Sequence, residues 1–411
     1  MAAFSVFSTP SMPSVSRTVT VLALTSAFVM GCGSAATTRA SSPSASSAST
    51  ASPAASNGAT TPLDVTTART GTPCDAQGLM GSLSLRQKLA QLLMVGVTGG
   101  ADARAVVSGS EVGGIFLGSW TDMSMLGDGT IGALQDSTDG LPLAISVDEE
   151  GGRVSRLKNL IGVQPSPRLL AQSDTPEQVR AIAQDRGQKM RNLGITIDLA
   201  PDTDVTEESD DEVIGDRSFG SDPQKVTTYA GAYAQGLRDA GLLPVLKHFP
   251  GHGHGSGDSH KGGVTTPPLS SLMKDDLIPY RTLTTAGPVA VMVGHLNVPG
   301  LTGDDPASLS PAAYQLLRSG GYGGPGYGGV IMTDDLSSMQ AISDRFSVPQ
   351  AVLKALQAGA DIALWVTTKE VPAVLDTLEA AVHSGAFPEA RVNESFLRVA
   401  AMKGPSPKCT R

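Results

Sequence analysis

The chain has 411 residues, 40% of them hydrophobic and 17% charged, with a formal net charge of −9. That apolar share supports a sizeable core, and the length leaves room for one large barrel or for two or three smaller domains. The acidic balance and the lack of basic runs exclude a nucleic-acid partner.

At the N-terminus, residues 19–30 (VTVLALTSAFVM) form an apolar run preceded by Arg17. The run is too short to span a bilayer and has the length of a secretory signal's apolar region. Small Gly31 directly before Cys32 resembles a lipobox, the bacterial site at which a cysteine is lipidated, although Met30 stands where a smaller residue is commoner. Residues 1–31 are therefore expected to be a lipoprotein signal peptide. Cys32 is the expected lipidation site, which would anchor an extracytoplasmic protein to the cell membrane. Residues 33–62 are Ser, Ala, Thr and Pro with a single charge and no large apolar side chain. Such a segment buries too little surface to offset its ordering entropy, so 32–72 is expected to be a disordered linker and 73–411 the folded domain. With Cys32 assigned to lipid, Cys74 and Cys409 remain, one at each edge of that domain. An oxidising compartment and an even count predict a Cys74–Cys409 disulfide.

Within the domain, Ser84 is positioned to cap a helix over SLRQKLAQL, and eight short apolar runs follow. They are LLMVGV (92–97), VGGIFLG (112–118), LPLAISVDEEGG (141–152), GITIDLAPDTDV (194–205), LLPVLKHFPG (242–251), PVAVMVGHLNV (288–298), GGVIMTDD (328–335) and ADIALWV (360–366). Between several of them the apolar spacing is helical. In TPEQVRAIAQDRGQKMRNLG, Val179, Ile182, Ala183, Met190 and Leu193 share a face. DPQKVTTYAGAYAQGLRDAG and SVPQAVLKALQAG both end on a glycine suited to a cap. Continuous apolar strands alternating with helices predict a parallel sheet covered on both faces. Eight such units predict an α/β fold, a single (β/α)8 TIM-type barrel.

Polar residues then fall in one place. Asp148, Asp198, Asp202, Lys247, His248, His295 and Asp334 each lie at or just past the C-terminal end of a predicted strand. Those ends converge on one mouth of a barrel, where active sites are built. Period-2 geometry lets only one of Asp334 and Asp335 face the centre, and a carboxylate there is a reasonable nucleophile for a sugar carbon. The stretch LKHFPGHGHGSGDSHKG (246–262) holds four of the six histidines. Alone it permits a metal nest, a histidine-rich flexible loop, or an acid–base pair in which Asp258 fixes the tautomer of His260.

KHFPGHG with DSH, DEEGGRVSRL, DRSFG and VIMTDDLSSM, in that order, closely resemble glycoside hydrolase family 3, in its bacterial β-N-acetylglucosaminidase branch. The resemblance runs from about Leu85 to Ala401. It implies that Asp334 is the nucleophile, His260 the general acid/base and Asp258 its partner. Asp148, Arg156, Arg217, Lys247 and His248 would hold the sugar, with Glu150 and Arg153 supporting them and Gly151–Gly152 forming a turn. His252 and His254 are left as loop residues without a ligand. The activity implied is retaining exo-hydrolysis of terminal β-linked GlcNAc, with cell-wall GlcNAc–MurNAc fragments as substrate. The enzyme would act as a monomer, with no cofactor and no metal. A broad β-glucosidase, a metal hydrolase on the four histidines and a non-catalytic glycan-binding lipoprotein are the rival readings.

Overall fold

The computed structural model describes residues 76–138 and 140–405. Cys32, Cys74 and Cys409, and with them the signal, the linker, the lipid anchor and the disulfide, lie outside the described residues.

Eight parallel strands form the centre: β1 (Leu93–Gly96), β2 (Gly114–Leu117), β3 (Ala144–Val147), β4 (Ile197–Asp198), β5 (Leu243–Phe249), β6 (Ala290–Val293), β7 (Ile331–Thr333) and β8 (Ala363–Trp365). They pair in the order β7-β6-β5-β4-β3-β2-β1-β8. A bridge between Met332 and Ile362 brings β7 beside β8, and the Thr333 N–H donates to the Ile362 carbonyl at 3.0 Å. The sheet is thus a nearly closed TIM-type barrel, and all eight predicted runs contribute a strand. Several strands are shorter than the runs that hold them. β4 is only two residues long, although single bonds to β3 and β5 continue past it at Leu199 and Ala200.

The helices form where the sequence has caps. Ser84 caps Leu85–Ala90 in a capping box with Gln87, and Thr175 does the same with Gln178 for Pro176–Asn192. In that second helix Val179, Ala183 and Met190 are buried, while Ile182 and Leu193 pack partly against the core. A fully buried Val or Met side chain such as Val179 or Met190 contributes about 1.5–3 kcal/mol. Ser347 boxes with Gln350 at the start of Val348–Ala358, and Gly359 ends it.

One element was not expected. After β3 the chain folds into a small antiparallel hairpin, Glu149–Gly151 against Val154–Ser155. Gly151 (φ 95°) and Gly152 (φ 55°) supply the turn that the sequence reading assigned to them, in a backbone region that side chains disfavour. The hairpin carries Glu150 and Arg156 over the mouth of the barrel.

Candidate active site

At the C-terminal ends of the strands lies a cavity of about 240 Å³. Asp148 follows β3, Lys247 and His248 lie near the end of β5, and Asp334 follows β7; all four border it. Arg156 and Arg217 reach it from the loops after β3 and β4, and His260 from the loop after β5. Asp258 is set back from the cavity and touches His260. The structure therefore brings together all eight residues expected to bind or transform a sugar. Asp198 is turned away instead. Its Oδ1 accepts from the Glu149 N–H at 3.1 Å, and burial together with the Glu149 charge pushes its carboxyl well above the usual range.

The binding side chains form one charge network. Lys247 Nζ lies 2.9 Å from Asp148 Oδ1 and 2.6 Å from Glu150 Oε1. Arg217 donates to both Glu150 oxygens, each at 2.8 Å, and its Nη2 lies 3.6 Å from Asp202. Arg156 approaches Asp148 at 3.9 Å. Burial disfavours each ion, but the pairing outweighs it. The Glu150 carboxyl is held far below its ordinary value by Arg217 and Lys247, and Lys247 stays firmly protonated between Asp148 and Glu150. Arg153, the other support, bonds the Val213 and Ile214 carbonyls and pairs with Asp216 at 3.0 Å, which braces the loop that presents Arg217.

His248 answers to a residue the sequence reading passed over. Its Nδ1 lies 2.7 Å from Asp204 Oδ2, so the Nδ1–H donates and Nε2 is left as an acceptor. Asp204 also accepts from the backbone N–H of His248 (3.3 Å) and of His252 (2.6 Å). Burial lowers the His248 pKa to about 4, the nearby Asp202 charge only partly opposing it, so the ring is neutral at pH 7. The only signal of Asp204 in the sequence is an acidic residue two places past Asp202 in APDTDV.

Asp334 is buried and ionised beside the cavity. Burial opposes its ionisation, but His295, His248, the Asp335 N–H and Lys247 together hold the carboxyl down at about 2. Its Oδ1 accepts from the Asp335 N–H at 2.9 Å. Asp335 is occupied elsewhere, accepting from the backbone N–H and the hydroxyl of both Ser337 and Ser338. His295 fixes this segment: its Nε2–H donates to the Asp335 carbonyl at 2.7 Å, and Nδ1 lies 2.7 Å from Ser308 Oγ.

On the loop after β5, His260 Nδ1 lies 2.9 Å from Asp258 Oδ1, which also accepts the His260 backbone N–H at 3.0 Å. Despite partial burial, these bonds and Lys261 (3.3 Å) keep Asp258 ionised. The loop is tied down at Ser256, whose N–H donates to the Thr265 carbonyl, and at Ser259, whose carbonyl accepts from Ala341 N–H. The His260 side chain remains 66% exposed, with Nε2 turned away from the Asp258 contact at Nδ1.

Two histidines differ from expectation. His252 is a loop residue, as read, but it is buried, borders the cavity and packs edge-on against His248 with ring centroids 5.8 Å apart. His254 is not free either, since its Nδ1 lies 3.0 Å from Asp276 Oδ1. Backbone bonds from the loop to Asp204 and the burial of Gly253 against Val205 draw this segment inward, which its glycine content concealed. His248, His254 and His260 thus each pair with a different aspartate. Among the described residues two groups are compact enough to share a cation, Asp202–Asp204–His248 and His254–Asp275–Asp276. Neither contains His252 or His260, so the four histidines do not form one nest.

A barrel with an ionised aspartate, a histidine–aspartate pair and a buried network of paired charges at its mouth fits a glycosidase-type site. Residues 84–402 match the pattern described as the glycosyl hydrolase family 3 N terminal domain. The chain is 60% identical to the β-hexosaminidase LpqI of Mycobacterium tuberculosis over 96% of its own length and 99% of the relative's. A Mycobacterium smegmatis glycosyl hydrolase of the same family superposes with a TM-score of 0.79 at 68% identity, covering 80% of this chain and 99% of that one. A family 3 β-N-acetylglucosaminidase from Paenibacillus sp. FPU-7 gives a TM-score of 0.73 at 35% identity, covering 78% of this chain and 62% of that one. The chain belongs to glycoside hydrolase family 3. Within it, it is a glycoside hydrolase of the β-hexosaminidase type.

Proposed function

We propose that the chain is a monomeric, exo-acting, retaining β-N-acetylglucosaminidase that removes terminal GlcNAc from cell-wall fragments such as GlcNAc–MurNAc. The observation that carries this reading is that Asp334 and His260 border one cavity whose polar wall includes the Asp148–Lys247–Glu150–Arg217 network. In the first step Asp334 attacks the anomeric carbon while His260 Nε2 gives its proton to the departing glycosidic oxygen. The C–O bond to the leaving sugar breaks and a glycosyl ester to Asp334 forms. In the second step His260 takes a proton from water, water attacks the same carbon, and the ester bond breaks to restore the carboxylate. Asp258 holds the ring and stabilises the imidazolium that starts the first step and re-forms in the second; between them the imidazole is neutral and ready to act as base. The charged wall gives directional bonds to the sugar hydroxyls, which fixes the ring for in-line attack.

The reading extends to location. Lipidation at Cys32 would hold the barrel at the outer face of the cell membrane on the 32–72 linker. The helix Ala76–Ser82 packs beside the helix Glu389–Lys403, so the chain enters and leaves the barrel at neighbouring points, which supports a Cys74–Cys409 disulfide just beyond them. The direct test is Asp334→Ala with a fluorogenic β-GlcNAc substrate. Loss of turnover by about four orders of magnitude or more is expected for removal of a covalent nucleophile, and near wild-type turnover would overturn the mechanism.

A further inference from the structure

Beside the catalytic cavity, the barrel mouth has a second hollow. A cleft of about 440 Å³ is lined by Gly96, Thr98, Asp102, Trp120, Val366 and Lys369, among others, from the segments after β1, β2 and β8. Trp120 and Val366 also border the cavity that holds Asp334 and His260, so the two hollows share a wall.

Trp120 forms that wall in an unusual state for a large apolar residue. It is 45% exposed, yet its indole is firmly seated. A methyl group at Gly118 would meet its ring carbons at 2.3–2.5 Å, so the ring lies flush on a backbone that only glycine leaves bare. Its edge rests on Phe116, with centroids 5.9 Å apart at 63°. One side of the indole is fixed by the protein and the other is open. A ring ordered beforehand loses little entropy when a ligand settles on it. Elsewhere in the lining, both Asp102 oxygens are already engaged, by Thr98 N (2.8 Å), Thr98 Oγ1 (3.1 Å) and Thr368 Oγ1 (2.7 Å). Lys369 is exposed and has no carboxylate within ion-pairing distance among the described residues, which leaves its ammonium free to donate.

Given the glycosidase reading above, we propose that this cleft is the leaving-group subsite: Trp120 stacks the apolar C–H face of a second hexopyranose, and Lys369 donates to an oxygen on it, hydroxyl or carboxylate. A pyranose offers a flat patch of C–H groups and a rim of oxygens, which matches an indole face with a cation beyond it. The cavity then selects the sugar that is released, and the cleft selects what it is released from.

The test compares kcat/KM on substrates that do and do not reach the cleft. The β-fluoride of GlcNAc has a leaving group of one atom, whereas diacetylchitobiose and GlcNAc-β-1,4-MurNAc place a whole sugar there. Trp120→Ala is expected to lower kcat/KM on both disaccharides about tenfold more than on the fluoride, and Trp120→Phe to retain most of the difference. Lys369→Gln, at an exposed side chain, provides a second variant and is expected to lower the disaccharide-to-fluoride ratio severalfold. Equal losses on all three substrates in these variants would overturn the subsite. A wild-type enzyme that fails on the fluoride would instead overturn the glycosidase reading, and the subsite with it.

Discussion

Arg217 holds both carboxylate oxygens of Glu150 at 2.8 Å, and Lys247 reaches one of the same oxygens at 2.6 Å. One carboxylate that is 1% exposed therefore keeps two cations of the cavity wall in place. Glu150→Ala would leave both buried without their main partner, and a loss of about 3–5 kcal/mol of stability is expected. Urea unfolding measures it. The sign with pH follows from the lowered carboxyl pKa. The contribution is fully present above the ordinary value of 4.5 and is lost as pH falls through the lowered folded value. Glu150→Gln should therefore lose stability against wild type at pH 7, with the gap closing in acid.

His248 is held neutral, with its pKa lowered to about 4. Between its ordinary 6.5 and that value the unfolded chain binds a proton that the native ring refuses. Its contribution to stability is complete above pH 6.5 and declines as pH falls toward 4. Protonation also removes the Nε2 acceptor, so kcat/KM should fall as pH drops through about 4. An NMR titration of labelled histidine rings reads this directly, and a His248 midpoint near 6.5 would contradict it.

If His260 delivers the proton to the glycosidic oxygen, its loss matters only where the leaving group needs one. His260→Gln should lower turnover of GlcNAc–MurNAc by about 10²–10⁴-fold while a dinitrophenyl β-GlcNAc, whose leaving group departs unprotonated, loses far less. Asp258→Asn should follow the same pattern more weakly. Equal losses on both substrates would remove His260 from the role of acid.

Cys32→Ala should move the protein from the membrane fraction to the soluble one, as fractionation and blotting would reveal. Peptide mapping without reductant should recover Cys74 and Cys409 in one cross-linked species. Free thiols at both positions in secreted material would contradict the disulfide.

Much of the site was readable because a barrel turns strand ends into a shared mouth. Once eight apolar runs are recognised, the polar residue that closes each run acquires a position, and Asp148, Lys247, His248 and Asp334 follow. Asp204, His252 and His295 were not assigned because their work depends on contacts across the fold. Asp204 matters through an imidazole 44 residues away, and His295 through the Asp335 carbonyl 40 residues on. Local spacing carries no trace of such pairings. The glycines around His252 and His254 pointed to a flexible loop, and tertiary bonds to Asp204, Thr206 and Asp276 draw that loop in. The hairpin at Glu149–Ser155 was hidden for a related reason, since its turn was legible but its two short strands are not apolar.

The central claim is that Asp334 forms a covalent bond to the sugar. Treating the enzyme with a 5-fluoro β-GlcNAc fluoride, which slows the second step, and sequencing the labelled peptide by mass spectrometry tests it most directly. A single 5-fluoro-GlcNAc adduct on Asp334 that disappears as turnover recovers is expected. An adduct on another residue, or full catalysis by Asp334→Asn with no adduct at all, would contradict it.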